Sequence, residues 1–388
     1  MRKIWPFAFY FCQYAGVAFM MPFMVLFYQQ QGFSGGQIGF LTGLAPLITL
    51  FCAPLWTGVA DATRRHRLVM GISLVGGSLA VFFIPLFAAF IPILLIGILS
   101  NIFLAPVSSL ADSATMSMLA DEKDMYGRLR LGGTIGFAIA APISGQLVQS
   151  FGLKMAFWGC AVMYFLAYLT SQKFVYFSGQ VFTKQKTSLA GGIRVMSRNP
   201  RWLLFLTGAL VGGFAMAVTN NYFFSYMKEL GAKEATMGLA LTLGTVCEVP
   251  VMFFGNRLLK YFKAYPLFIL ALVITGIRLL LFSIASSPTQ AMIFQLLNGL
   301  AFPAMWMAGV SYVDENAPAG MSATAQGIFG ATVFGVGTAL GGFVGGAVLE
   351  SLGARGLCLV FGAITLLVVA IILLVGRLLP STHVQSVA

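Results

Sequence analysis

Long stretches of this chain carry no charge. Residues 4–60 contain no Asp, Glu, Lys or Arg, and charge-free runs recur at 68–111, 131–153, 155–172, 202–227, 279–313 and 316–349. A soluble protein cannot hide that much apolar surface; a bilayer can. A helix needs about 20 apolar residues to cross about 30 Å of hydrocarbon. Cutting the runs at their polar or Gly/Pro breaks predicts twelve spans, near 4–29, 35–59, 68–88, 91–118, 129–150, 153–174, 202–227, 235–256, 265–284, 288–312, 323–349 and 356–376. The breaks at 29–37 and 88–91 are short, so the helices on either side form antiparallel hairpins. The expected fold class is an all-α integral membrane protein.

Composition agrees. The chain is 59% hydrophobic and 9% charged, with mean hydropathy +0.90, against about 25% charged residues in a soluble domain. The net charge of +12 would fit nucleic acid, but its placement does not. With the N-terminus inside, eighteen Lys and Arg fall in cytoplasmic segments and four outside (Lys154, Lys228, Lys233 and Arg355), while Arg278 lies within a span. That asymmetry is the positive-inside pattern. It predicts a multi-pass protein of the cell (inner) membrane with both termini cytoplasmic, surrounded by lipid and with no nucleic-acid partner. Two basic residues before an apolar run resemble a secretory signal, but the run is too long and continues into a second span, so it is expected to be retained. The five cysteines sit in apolar spans without metal-ligand spacing and read as buried packing. There is no Gly-Lys dipeptide, hence no Walker A loop, and no His/Cys cluster. The reading is no enzyme, no cofactor and no metal.

The charged stretch 175–201 separates six spans from six, giving an N-terminal half 1–174, a cytoplasmic linker 175–201 and a C-terminal half 202–388. The halves share a pattern at an offset of 201 residues: Gly136, Ala138, Gly145, Ser150 and Gly152 match Gly337, Ala339, Gly346, Ser351 and Gly353. Small residues at such positions let helices approach closely. Two six-helix halves around a midplane cavity are a secondary-transporter architecture, with access alternating as the halves rock.

Charges inside spans are expensive, about 2.5–3.5 kcal/mol each on insertion scales, and mark function. At 1.5 Å per residue, Glu248 lies about 13 Å from the cytoplasmic face, Arg278 about 20 Å and Asp112 about 13 Å. Glu248 and Arg278 sit on one helical hairpin and are expected to pair. A substrate competing for Arg278 would leave Glu248 to take a proton, a physical basis for coupling. Arg128 and Arg130 lie two apart and face different ways, so one can snorkel to headgroups while the other reaches Asp112.

The whole chain resembles the major facilitator superfamily. The signature loop of that family falls on Pro54–Arg67, PLWTGVADATRRHR, where Asp61 and the cluster Arg64, Arg65 and Arg67 fit. Thr57 stands at the leading Gly position, with Gly58 one place late, and Ala62 stands where a basic residue usually follows the Asp. The resemblance implies a cytoplasmic latch, with Asp61 capping or pairing across the domain interface. The intramembrane charges are similar to the branch holding lactose permease, nucleoside:proton symporters and the phenylpropionate permease. The acidic residue and the Arg that bind sugar on helices 4 and 5 fall on Asp112 and Arg130; the helix-8 Glu and helix-9 Arg fall on Glu248 and Arg278. The stacking Trp falls on Phe137, the helix-10 His on Asn298 and the proton-carrying Glu on Ala301. The proton relay of lactose permease is therefore missing, and coupling must rest on Glu248 or Asp112. Asn220 and Asn221 are further cavity candidates, ahead of Gln13, Tyr14, Asn101, Gln295, Trp306 and Gln326.

These readings imply a monomeric proton-coupled symporter that imports a small polar or aromatic organic solute of the aromatic acid, sugar or nucleoside class. Arg130, Arg278, Asp112, Phe137, Asn220, Asn221 and Asn298 would bind the solute. The alternatives are a drug:proton antiporter, for which APISGQ at Ala141–Gln146 keeps only Pro142 and Gly145 of the group's helix-5 motif, and an uncoupled facilitator.

Overall fold

A computed structural model describes residues 4–119, 122, 125–175, 196–318 and 321–378. Most of the expected linker lies outside the described residues, with Lys184, Lys186 and Arg194 in it. The described residues are helical throughout, without a strand. Among the described residues, ten helices are long and apolar enough to cross a membrane. In chain order, α1 is Ile4–Gln30, α2 Gly35–Thr63, α3 His66–Leu86, α4 Phe90–Leu119 and α5 Tyr126–Phe151. The shorter α6, Lys154–Ser171, follows. Then come α7 (Pro200–Glu229), α8 (Glu234–Tyr261), α9 (Ala264–Ile284) and α10 (Pro288–Asn316). The run from Ser322 to Leu378 is broken at Gly353, where φ is 70° and ψ −178°; its parts are α11 (322–352) and α12 (354–378).

Local chemistry sets the starts. Ser34 and Gln37 form a reciprocal capping box at α2, and Asn199 and Ser287 cap α7 and α10 through their side chains, satisfying amides that a helix N-terminus leaves without partners. Large apolar side chains point outward, Phe51 at 66% exposure, Leu95 at 60% and Phe253 at 79% among them. An apolar exterior over the length of the helices is the surface a hydrocarbon environment selects.

The ends are set by glycine, and they repeat. Four glycines have positive φ among the described residues: Gly32, Gly152, Gly231 and Gly353. After α1, Gly32 N–H donates to the Gln29 carbonyl and Phe33 N–H to that of Tyr28; after α7, Gly231 donates to Lys228 and Ala232 to Met227. Both are Schellman turns, which need a left-handed residue. Gly152 and Gly353 stand at the ends of α5 and α11, at the offset of 201 residues seen in the sequence.

On that glycine-turn face, two helix pairs cross at close range between residues 4–175 and residues 196–378. Between α2 and α11, the Gly36 amide donates to Glu350 Oε2 at 3.3 Å. Between α5 and α8, the Ala235 amide donates to Gln149 Oε1 at 3.3 Å. Gln149 and Glu350 are themselves 201 residues apart. Backbones nearly touch at both crossings. A methyl group on Gly346 would sit 2.1 Å from the Gly35 carbonyl oxygen, and one on Gly238 2.3 Å from that of Ala141. Neither distance is tolerable for a carbon, so only glycine fits. Gln29 and Ser225 at 2.9 Å, and Thr42 and Tyr222 at 3.0 Å, add side-chain bonds on the same face.

Candidate functional site

Two polar clusters lie within the helices. The first joins α1, α4 and α5. Tyr10 Oη donates to Asp112 Oδ1 at 2.6 Å and lies 3.3 Å from Thr115 Oγ1. Arg130 Nη1 lies 3.6 Å from Asp112 Oδ2 and donates to Tyr126 Oη at 2.8 Å. The Asp112 and Arg130 side chains keep 32% and 45% of their surface exposed. Of the two arginines offered by the sequence, Arg130 is the one that reaches Asp112.

The second cluster joins α8, α9 and α10. Asn298 Nδ2 donates to Glu248 Oε1 at 2.6 Å, and Arg278 Nη1 donates to Asn298 Oδ1. The expected Glu248–Arg278 ion pair is thus replaced by a chain through one amide; among the described residues no direct ion pair joins the two. The guanidinium carbon of Arg278 is 5.8 Å from the centre of the Phe282 ring, and the residue is 2% exposed. Backbone approach makes the bridge possible. A Cβ on Gly299 would lie 2.2 Å from the Cys247 carbonyl oxygen, so glycine at 299 lets α10 close on α8 and sets the adjacent Asn298 against the adjacent Glu248.

The other candidates divide. Asn220 and Asn221 are half-buried on a π-helical turn, Val218–Tyr222, inside α7; such bulges concentrate at functional sites. Phe137 is half-buried on α5 against the core. Gln13 donates to Ser108 Oγ, Asn101 to the Gly97 carbonyl and Gln326 to the Val310 carbonyl. Trp306 stacks on Phe329 with ring centres 5.0 Å apart. These four have packing roles. Sequence reasoning missed Thr115, Tyr126 and, with the shortest bond to Asp112, Tyr10. The only signal for Tyr10 is its place one helical turn before Tyr14.

The expected latch behaves locally. Asp61 Oδ1 is 2.8 Å from His66 Nε2 and its side chain is 75% exposed, so its partner lies in its own loop rather than across the interface. Arg64 takes a left-handed φ of 56°, Arg65 is exposed, and Arg67 Nη2 donates to the Phe174 carbonyl at the end of α6. The five cysteines are free thiols.

Comparison with known proteins decides the family. The MFS_1 like family matches residues 4–360. This chain belongs to that family. It is a membrane transporter of the major facilitator fold. The maltose permease of Geobacillus stearothermophilus is 26% identical over 384 residues, covering 97% of this chain and 95% of the permease. An uncharacterized transporter, YwbF, of Bacillus subtilis (strain 168) is 26% identical over 365 residues, covering 92% and 89%. The crystal structure of the nucleoside transporter NupG superposes with a TM-score of 0.85 at 17% identity, over 97% of this chain and 99% of that one; the likeness is one of fold.

Proposed function

We propose that this transporter is a proton-coupled symporter importing a neutral polyhydroxylated solute, of the sugar or nucleoside class, through two six-helix halves and twelve crossings. The observation that carries the reading is the division of labour between the two clusters. Arg278 is buried and its guanidinium is bonded to Asn298, so it is poorly placed to grip an incoming carboxylate. Asp112 and Arg130 remain accessible and offer a hydroxyl-bearing ligand both an acceptor and a fork of donors. Asn220 and Asn221 would add neutral donors and acceptors from α7, and Phe137 an apolar face for a ring.

Glu248 is the proposed proton carrier. Its carboxylate accepts from Asn298, whose oxygen in turn accepts from Arg278. A proton arriving on Glu248 removes the charge to which Asn298 donates and so loosens the hold of the amide on Arg278. Proton and solute would then be felt on three helices at once. The positive-inside count supports taking the glycine-turn face as the outer one. The seal on that face supports a state closed outward, with the solute leaving toward the cytoplasm, and the local Asp61–His66 pair supports a latch not engaged across the halves in that state.

Uptake into vesicles tests the whole. Under an inward proton gradient, radiolabelled sugars and nucleosides should accumulate above equilibrium and aromatic acids should not. Glu248→Gln should abolish accumulation while preserving solute exchange. Accumulation of aromatic acids alone, or undiminished uphill uptake by Glu248→Gln, would overturn the reading.

A further inference from the structure

On the lipid-facing side of α3, away from both clusters, lies a groove of about 800 Å³. Its walls are Leu68, Ile72 and Leu79 of α3, Phe103 of α4 and Tyr168 of α6; Arg65, Arg67 and Gln172 stand at its mouth. From Arg65 to Leu79 the helix rises about 21 Å at 1.5 Å per residue. The groove therefore runs from the membrane surface through about one leaflet of a 30 Å hydrocarbon layer. Leu68, Ile72 and Leu79 are 53%, 44% and 54% exposed, so the trough opens sideways to the bilayer. Glycine hollows its floor: a Cβ on Gly71 would make only ordinary contact, 3.4 Å, with the Tyr168 ring.

One end is strongly basic and the rest apolar. Arg65 is exposed, and Arg67 holds the Phe174 carbonyl with one nitrogen, which leaves other donors of its five-donor fork directed elsewhere. Lys173 adds a cation at the same end of α6, its ammonium 5.9 Å from the centre of the Trp5 ring. Guanidinium groups bind phosphate oxygens bidentately, and basic pockets between spanning helices suit anionic headgroups. We infer that this groove is a binding site for one anionic phospholipid, its phosphate on Arg65 and Arg67 and an acyl chain along α3 beside Phe103 and Tyr168. The site is tied to the α2–α3 loop, so an occupying lipid would hold the latch segment against α6.

Native mass spectrometry of the detergent-purified full chain tests this. Phosphatidylglycerol and phosphatidylcholine with identical acyl chains are titrated separately. The expected result is one phosphatidylglycerol bound at least about tenfold more tightly than phosphatidylcholine, about 1.4 kcal/mol. Arg65→Gln should cut that preference several-fold, weakening phosphatidylglycerol more than phosphatidylcholine. Gly71→Leu, which fills the trough, should weaken both lipids together. Soluble glycerol phosphate should fail to displace the bound lipid. Equal affinity for the two lipids, or an unchanged preference in Arg65→Gln, would overturn the inference. Displacement by glycerol phosphate would also overturn it, by showing an anion site that does not use the acyl chain.

Discussion

The cluster around Asp112 and the cluster around Glu248 use similar residues to opposite ends. Each sets a carboxylate and an arginine on different helices. Around Asp112 the pair is direct, loose at 3.6 Å and a third to a half exposed, with a tyrosine hydroxyl making the short bond. Around Glu248 the two charges are separated by an amide and the arginine is buried. Burial explains the contrast. An exposed pair can tolerate imperfect geometry because water completes it. A buried one is destabilised by each polar group left unmet. The first arrangement leaves both charges accessible; the second links them through one amide and leaves Arg278 Nε as a buried nitrogen without a hydrogen-bond partner among the described residues.

Breaking the amide link should have the largest effect. Asn298→Leu leaves both Glu248 and Arg278 without their bridge, and we expect a loss of about 3–5 kcal/mol, the range for orphaning a buried charge, read as a fall in unfolding midpoint in one detergent. A midpoint within error of the wild type would show that the bridge is not sustained in solution. Next, Arg278→Ala should be less stable than the double replacement Glu248→Gln with Arg278→Gln, by about 2 kcal/mol, because the double leaves no uncompensated carboxylate. Repeating that comparison in Asn298→Leu sharpens it: coupling transmitted by the amide should then vanish, whereas surviving coupling would mean that the charges meet directly.

In the exposed cluster the effects should be smaller. Tyr10→Phe removes one bond to a charged group and should cost about 1.5 kcal/mol, and solute affinity should fall with it. If affinity stays constant while stability drops, Tyr10 only holds α1 to α4. The smallest effect is expected at the surface, where Asp61→Asn should cost below about 1 kcal/mol, as exposed ion pairs do. A larger thermal shift there would mean that Asp61 has a partner beyond His66.

The contrast also tracks what the sequence could reveal. A charge within an apolar span stands out in a string of apolar letters, so Asp112, Glu248 and Arg278 were visible in the sequence, whereas Arg130 was singled out from Arg128 only by the family resemblance. The helices were visible for the same reason, although α8 runs on to Tyr261, past the expected end near 256, and the breaks separating the last two spans narrow to Gly353. Partners were harder to see. Tyr10 has no charge and looks like any aromatic residue of a membrane helix. Asn298 was a candidate ligand, and its role as a bridge depends on the approach of α10 to α8 at Gly299, which no local pattern encodes. The sequence reading allowed Asp61 to cap or to pair across the interface; the contact with His66, five residues on, was not among the partners it named.

The seal on the glycine-turn face has a consequence for how such proteins diversify. Gly346 against Gly35, and Gly238 against Ala141, are contacts of backbone with backbone, and none of the proposed binding side chains is among the nearest atoms there. On the proposed function, mutations at Asp112, Phe137 or Asn220 would then change the cargo without disturbing these contacts. Any side chain added at Gly346 or Gly238 would obstruct closure for every cargo alike. On that reading, selection would act on two nearly independent sets of positions, one free to drift and one fixed by geometry.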